Sequence, residues 1–270
     1  MTMDSVDVTV SEKLAGAWRQ HPVLLRGAAQ HLLGSQRSYE WFDELLARTA
    51  GVPGVDVHRR DGEVTFIEQA SLGDGELAAR AAAVARIAGV PSAWCDVIRT
   101  YVKSGIGSHF DHSDNLVIQQ QGVKSWRLSP PDSLSKDTVV ARYRGDEGVG
   151  GAEIDPSTVI EYDLEPGDVM YIPLMWIHEG VGQTDDSLSI SIVCPVVTAY
   201  TAVMAGVAAA LRQIDALHRP LEPMASWMED GARERAEQRL ALVTGKVLEK
   251  LTESSSQEYM AQVQRRRYLS

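Results

Sequence analysis

Two separated segments hold the residues best equipped for chemistry. The first runs Gly105-Ile106-Gly107-Ser108-His109-Phe110-Asp111 and continues to Gly122-Val123-Lys124-Ser125-Trp126. The second runs Leu164-Glu165-Pro166-Gly167-Asp168-Val169-Met170-Tyr171-Ile172-Pro173 and closes on Trp176-Ile177-His178. Together they offer two imidazoles, His109 and His178, and one carboxylate, Asp111. Such a set can hold one face of a metal ion and leave the other face open, the 2-His-1-carboxylate arrangement of non-haem Fe(II) oxygen chemistry. Alternate side chains of a strand share a face, so His109 and Asp111 are expected to project together, with Phe110 opposite. His178 follows a Pro-Gly-Asp turn and a short strand, and a chain folding back across a barrel would bring it opposite that pair.

A bare His-x-Asp is weak evidence, and a second one, His112-Ser113-Asp114, follows directly. What comes next separates the registers. Asn115 and Val117 continue the parity of His109 and Asp111, and Lys124 on the next strand is then available to the same cavity. A buried lysine needs a carboxylate partner to stay charged. A small dicarboxylate such as 2-oxoglutarate would supply one; a lysine beside a turn with its head in water is the plainer alternative.

The elements that must position these residues change character along the chain. Residues from about 9 to 50 are expected to be mostly helical, with Trp41, Leu45 and Leu46 on one face. A hairpin is expected where Val55–His58 and Val64–Ile67 alternate around Asp61-Gly62. Residues 74–88 read as a helix capped by Asp74 and stopped by Gly89 and Pro91. From about 94 to 196 short runs at 97–103, 109–120, 122–129, 158–163, 168–173 and 187–194 suggest a small β-sandwich or barrel. The stretch 130–156 reads as a long loop, either a lid over the site or a surface insertion. After Pro195 the chain reads as helical, with apolar stripes Val203, Val207, Leu211, Ile214, Leu217 and Ala236, Leu240, Val243, Val247, Leu251. The expected division is therefore 1–93, a helical and hairpin region packing on the barrel; 94–196, the β-domain; and 197–270, a helical appendage.

The composition narrows the partners. Lys plus Arg total 26 against 37 for Asp plus Glu, a net charge of −11, which disfavours a nucleic-acid backbone and suits a basic peptide or cationic small molecule, or merely keeps the protein soluble. Arg265-Arg266-Arg267 near the end reads as solvated. No apolar stretch approaches the roughly 20 residues of a bilayer span, and Met1–Asp7 lacks the features of a secretory signal. Cys95 and Cys194 read as buried thiols of a reducing compartment, so a cytoplasmic location is expected, with no membrane partner.

The combined string resembles the JmjC-type, cupin-like oxygenases, nearest to their bacterial ribosomal-oxygenase-like branch. It comprises Gly-Ile-Gly-Ser-His109-Phe-Asp111, Asn115, Gly122-x-Lys124-x-Trp126 and Pro166-Gly167-Asp168-x-x-Tyr171-Ile-Pro173-x-x-Trp176-x-His178. Upstream, Trp18-Arg19-Gln20-His21-Pro22-Val23-Leu24-Leu25-Arg26 resembles that group's entry segment. The resemblance implies a mainly β fold with helical flanks: a double-stranded β-helix (jelly-roll) with an N-terminal helical segment and a C-terminal helical appendage. It implies that His109, Asp111 and His178 ligate Fe(II), that Lys124 binds the distal carboxylate of 2-oxoglutarate, and that Asn115 contacts the co-substrate. Ser191, on the last strand, is expected as a further co-substrate contact. Ile106 stands where some members of that family have a threonine that helps hold the co-substrate, and a polar co-substrate contact is replaced around Val193, with Ser189 and Ser191 close by.

The implied activity is hydroxylation of a C–H bond of a protein or peptide side chain, using O2 and releasing succinate and CO2, in a homodimer formed through the C-terminal helices. Demethylation would use the same oxidant. Three alternatives stand beside it: the same chemistry on a small-molecule metabolite, a cupin metalloprotein that does not use 2-oxoglutarate, and a non-catalytic scaffold.

Overall fold

The computed structural model describes residues 8–60, 63–144, 150–196 and 230–253, with residues 198, 207, 211, 212, 214 and 217 between them. The chain forms two compact units, Met1–Val196 and Val197–Ser270. In chain order the first carries α1 (Val8–Ala17), β1 (Val23–Leu25), α2 (Ala29–Leu32), α3 (Tyr39–Thr49), β2 (Asp56–Arg60), β3 (Val64–Glu68), α4 (Gly75–Ala88), β4 (Trp94–Thr100), β5 (Ser113–Gln121), β6 (Lys124–Ser129), α5 (Lys136–Arg144), β7 (Ile160–Leu164), β8 (Val169–Ile172), β9 (Ile177–Gly182) and β10 (Ser187–Pro195). The second carries α6 (Asp230–Glu253).

Local chemistry sets several of these boundaries. The Ser38 hydroxyl accepts from the Trp41 N–H to start α3, whose Phe42 and Leu45 are buried. The Asp74 carboxylate accepts from the Glu76 and Leu77 N–H groups to start α4, and Gly89, at φ +65°, ends it by donating back to the last carbonyls. The expected hairpin is present, with Asp56 opposite Glu68 and Arg60 opposite Val64; its Asp61-Gly62 turn lies outside the described residues.

Two antiparallel sheets face each other. The large one has the order β1-β8-β5-β10-β4-β3-β2, the small one β7-β6-β9. The central strands β5 and β10 are buried at every residue but their last, because both their faces are covered. One face, with Cys95, Val97, Leu116, Ile118, Tyr171, Ile190 and Ile192, packs under Leu32, Phe42, Leu45, Leu77 and Ala81 of the helical layer. The other face, with Val117, Met170 and Ile172, meets Trp126, Leu128 and Leu164 of the small sheet. Period-two alternation therefore aims Asn115 and Val117, Asp96 and Ile98, and Ser191 and Val193 into the space between the sheets.

The structure changes four expectations. Val23–Leu25 is not helical; it adds an edge strand paired with Tyr171–Val169 of β8. The strand expected at 109–120 begins only at Ser113, so His109 and Asp111 precede it. Strand β9 was not among the expected runs; His178 follows the short strand β8 as expected but itself lies within β9. The stretch 130–156 is not one loop: a single turn at Pro131–Ser133 and α5 interrupt it. The Ser135 hydroxyl accepts from the Thr138 N–H at the start of α5. Val139 and Tyr143 then pack on the apolar cluster of Phe110, Met175 and Ile177.

The helix expected over the second apolar stripe is α6, on which Val243 is buried while Leu240 and Leu242 are exposed. Most of the first stripe's neighbourhood and Arg265–Arg267 lie outside the described residues. No helix among the described residues is long and apolar enough to cross a membrane, and both cysteines are buried and unpaired.

Candidate metal centre

Backbone pairing rather than strand parity brings the three candidate ligands together. The His109 N–H donates to the His178 carbonyl at 3.0 Å, and the His178 N–H donates back to the His109 carbonyl at 2.8 Å. This antiparallel bridge sets the two imidazoles side by side, with ring centroids 4.3 Å apart. The Asp111 carbonyl accepts from the Met175 N–H at 2.7 Å, and the Phe110 N–H donates to the Gly150 carbonyl at 2.8 Å, fixing the residues between the histidine and the aspartate.

The tautomers follow from those surroundings. His109 Nδ1 lies 2.9 Å from the Gly107 carbonyl oxygen and His178 Nδ1 lies 2.8 Å from the Trp176 carbonyl oxygen. A carbonyl only accepts, so each Nδ1 carries the proton and each Nε2 presents a lone pair. Asp111 Oδ2 lies 3.6 Å from His178 Nε2 and 4.0 Å from His109 Nε2, and one donor atom from each residue falls within 4.8 Å of the others. Neighbouring corners of an octahedron with bonds of about 2.1 Å stand about 3 Å apart, so small side-chain adjustments bring this set onto one ion. Burial, followed by the nearby His109, pushes the His178 pKa down to about 4. Burial alone would raise the Asp111 carboxyl, but His178, His109, Arg142 and the Asn115 amide outweigh it and lower its pKa. At neutral pH the donors are a neutral imidazole and a carboxylate, as a divalent metal requires.

The second His-x-Asp pair is built for something else. The Asp114 carboxylate accepts from the Tyr171 hydroxyl at 2.7 Å, the Arg19 Nε–H at 3.1 Å and the Leu174 N–H at 3.2 Å. The Tyr171 hydroxyl in turn accepts from the Arg19 N–H at 2.8 Å, and its ring stacks on Trp18. Asp114 thus ties the chain before β1 to β5 and β8. Asp114→Ala leaves these donors without their acceptor, and we expect a loss of about 3 kcal/mol in urea unfolding, with metal affinity of the folded protein unchanged.

Asn115 lies beside the ligands, its Nδ2 donating to Asp111 Oδ2 at 2.9 Å. It thus orients the carboxylate of a candidate ligand, and it also lines the cavity where the co-substrate contact is expected. Ser191 lines the cavity in front of the triad, and the Ser189 hydroxyl is buried without a hydrogen-bond partner among the described residues. Ile106 and Val193, the two departures, both line this cavity.

Lys124 is 1% exposed, and no acid pairs with it among the described residues. Its Nζ lies 5.2 Å from the centroid of the Trp126 ring, and burial lowers its pKa to about 8. A carboxylate seated against it would restore the charged form, so the residues fit a dicarboxylate. Gly180 on β9 leaves room for one: a Cβ there would stand 2.9 Å from Lys124 Cε and from the Trp126 ring. Gly180→Val should therefore weaken 2-oxoglutarate binding about tenfold or more in calorimetry and leave the divalent metal affinity intact. Unchanged co-substrate affinity would place the dicarboxylate elsewhere.

The cavity measures about 330 Å³. Its walls include Trp126 but not Lys124 itself, together with His109, Asp111, Asn115 and His178. Sequence reasoning missed Trp94, Asp96 and Arg142, which also line it. Asp96 carried a signal in Trp94-Cys95-Asp96-Val97-Ile98, where an acid interrupts an otherwise apolar strand. Arg142 comes from α5 and places Nη2 3.5 Å from Asp111 Oδ1.

Comparisons with known proteins agree with this architecture. Residues 83–202 match the family model of the JmjC domain. A bifunctional lysine-specific demethylase and histidyl-hydroxylase from Brugia malayi is 33% identical over 82 residues, covering 30% of this chain and 11% of that protein. The ribosomal protein uL16 3-hydroxylase of Escherichia coli K12 is 31% identical over 77 residues, covering 28% of this chain and 18% of that one. The chain thus matches only a small part of these longer relatives. Among solved structures, that of YcfD from Escherichia coli superposes with a TM-score of 0.57 at 16% identity, over 94% of this chain and 70% of the other. The same protein, described as a ribosomal oxygenase in complex with cobalt and 2-oxoglutarate, gives a TM-score of 0.54 at 15% identity, over 88% and 67%. Residues 83–202 are thus similar to a JmjC domain, and the chain has the double-stranded β-helix fold of the Escherichia coli protein.

Proposed function

We propose that this protein is an Fe(II)- and 2-oxoglutarate-dependent oxygenase that hydroxylates a C–H bond of a protein or peptide side chain. The observation that carries this reading is the pair of oriented Nε2 lone pairs beside the Asp111 carboxylate, opening on a cavity whose Trp126 wall has the buried, acid-free Lys124 against it. With Fe(II) and 2-oxoglutarate bound, such a site couples the reduction of O2 and decarboxylation of the keto acid to oxygen insertion into a C–H bond, releasing succinate and CO2.

The chain's own residues have distinct tasks in this reading. His109, His178 and Asp111 hold the metal on one face and leave the other open. Asn115 fixes the Asp111 rotamer. Lys124 pairs with the distal carboxylate of the co-substrate, and Ser191 supplies a hydroxyl along the same wall. Trp94, Phe66, Ile98 and Val117 give the cavity its apolar lining, which limits water and holds the target carbon in place.

A protein or peptide substrate suits the relatives, one named for a ribosomal protein and another for lysine and histidyl targets. The net charge of −11 supports an absence of nucleic-acid binding, and two unpaired buried cysteines support a cytoplasmic location. We assign residues 1–93 to flanking support, 94–196 to the catalytic β-helix and 197–270 to homodimerisation; the exposed Leu240 and Leu242 on α6 support the last assignment.

The activity is tested by O2-dependent conversion of 2-oxoglutarate to succinate with Fe(II). Conversion by the wild type that is lost in His178→Ala supports the reading. Wild-type conversion no faster than that of the variant overturns it.

A further inference from the structure

Helix α5 brings a positive charge to the candidate metal centre, and its sequence shows how. Val139, Arg142 and Tyr143 stand three and four residues apart, so they share one face of the helix. Val139 and Tyr143 seat that face on the cluster of Phe110, Met175 and Ile177. No residue of α5 is fully buried, so a few such contacts must hold this short helix in place. The same docking aims Arg142 at Asp111. Its guanidinium lies against Gly150, where an added Cβ would stand 3.5 Å from Cζ, and the Gly150 carbonyl accepts from the Phe110 N–H.

The two oxygens of Asp111 have different neighbours. Oδ2 faces the histidines, 3.6 Å from His178 Nε2 and 4.0 Å from His109 Nε2, and accepts from the Asn115 amide at 2.9 Å. Oδ1 faces Arg142, whose Nη2 stands 3.5 Å away. An ion between the imidazoles and Oδ2 therefore does not compete with Arg142 for the same oxygen. One hydrogen bond leaves a carboxylate free to turn about its Cβ–Cγ bond, a soft torsion. A second hold, on the other oxygen, fixes its plane. The difference matters to a metal, because a carboxylate can bind through one oxygen or through both. Binding through both would take up a position that oxygen chemistry needs open.

We propose that Arg142 is a positioning residue for Asp111: it retains Oδ1, so that Asp111 meets the metal through Oδ2 alone and a coordination position stays open. The inference rests on the reading of His109, Asp111 and His178 as metal ligands, and does not require the use of 2-oxoglutarate.

The probe is Mn(II) alone, bound to the full chain. Its affinity is read from the electron paramagnetic resonance of the free ion, and its bound water from solvent proton relaxation. An octahedral ion on this triad carries about three exchangeable waters, and a second oxygen from Asp111 would displace one of them. Arg142→Met and Arg142→Ala both suit a helix, and thermal melts verify that they fold. Each should lower the relaxivity of the bound ion by about a third, and Arg142→Lys, which keeps a charge for Oδ1, should restore most of that loss. A folded Arg142→Met or Arg142→Ala with wild-type relaxivity overturns the proposal. So does a loss that Arg142→Lys leaves unrepaired, or a wild type that binds no Mn(II). Failure of the oxygenase reading has a separate mark: Mn(II) would bind with the expected relaxivities, while Fe(II) and 2-oxoglutarate would give no visible band.

Discussion

His178→Ala is expected to abolish both divalent metal binding and turnover. Its Nε2 is the most deeply enclosed of the three donors, and the Trp176 carbonyl holds its ring in the ligating tautomer. Removing it leaves a two-point chelate with no replacement among the described residues. Asn115→Ala serves as the comparison, since it takes only the outer hydrogen bond from Asp111 and should weaken the metal by roughly 10–100-fold. His178→Ala should exceed that loss by a clear margin, read by metal titration of folded protein. A variant that still binds Fe(II) as the wild type does would mean that the ion sits elsewhere.

Lys124→Met should split co-substrate from metal. Losing the charge that faces the distal carboxylate is expected to weaken 2-oxoglutarate by about 3 kcal/mol, or roughly 10²-fold, while Fe(II) binds as before. The same variant carries a stability signature. A lysine whose pKa falls from 10.5 to about 8 in the folded state destabilises the fold by about 3 kcal/mol. The sign follows from linkage: the penalty is fully present below about pH 8 and fades as pH rises toward 10.5, where the unfolded lysine also loses its proton. The protein without co-substrate should therefore gain stability between pH 8 and 10 relative to Lys124→Met, and the variant should be the more stable of the two at pH 7. Equal urea midpoints across that range would mean that Lys124 is solvated.

Much of the site was legible because the chemistry lies in short, close-set motifs. His109, Asp111 and His178 were identifiable from residue type and order, and the parity of Asn115 and Val117 against Leu116 and Ile118 held within β5. The geometry behind the metal pair was not legible. His109 and Asp111 are aligned by cross-chain bonds to His178 and Met175, and no local pattern reports such pairing. Strand β9 escaped because Gly180 and Gly182 depress its strand signal, yet each is required by close approach. A Cβ on Gly182 would lie 2.4 Å from the Tyr101 carbonyl oxygen. The edge strand Val23–Leu25 is too short for periodicity to separate it from the helices around it. Helix α5 was hidden by its polar sequence, since only Val139 and Tyr143 among its residues join an apolar cluster. Asn115 was found by position, whereas only the structure shows its amide donating to Asp111.

The most direct test of the account is an anaerobic titration of metal-free protein with Fe(II), followed by 2-oxoglutarate, recorded in the visible range. The account predicts a charge-transfer band that saturates with one equivalent of metal, is absent in His109→Ala, and needs far more 2-oxoglutarate in Lys124→Met. Metal binding with no band at any concentration of 2-oxoglutarate would contradict it.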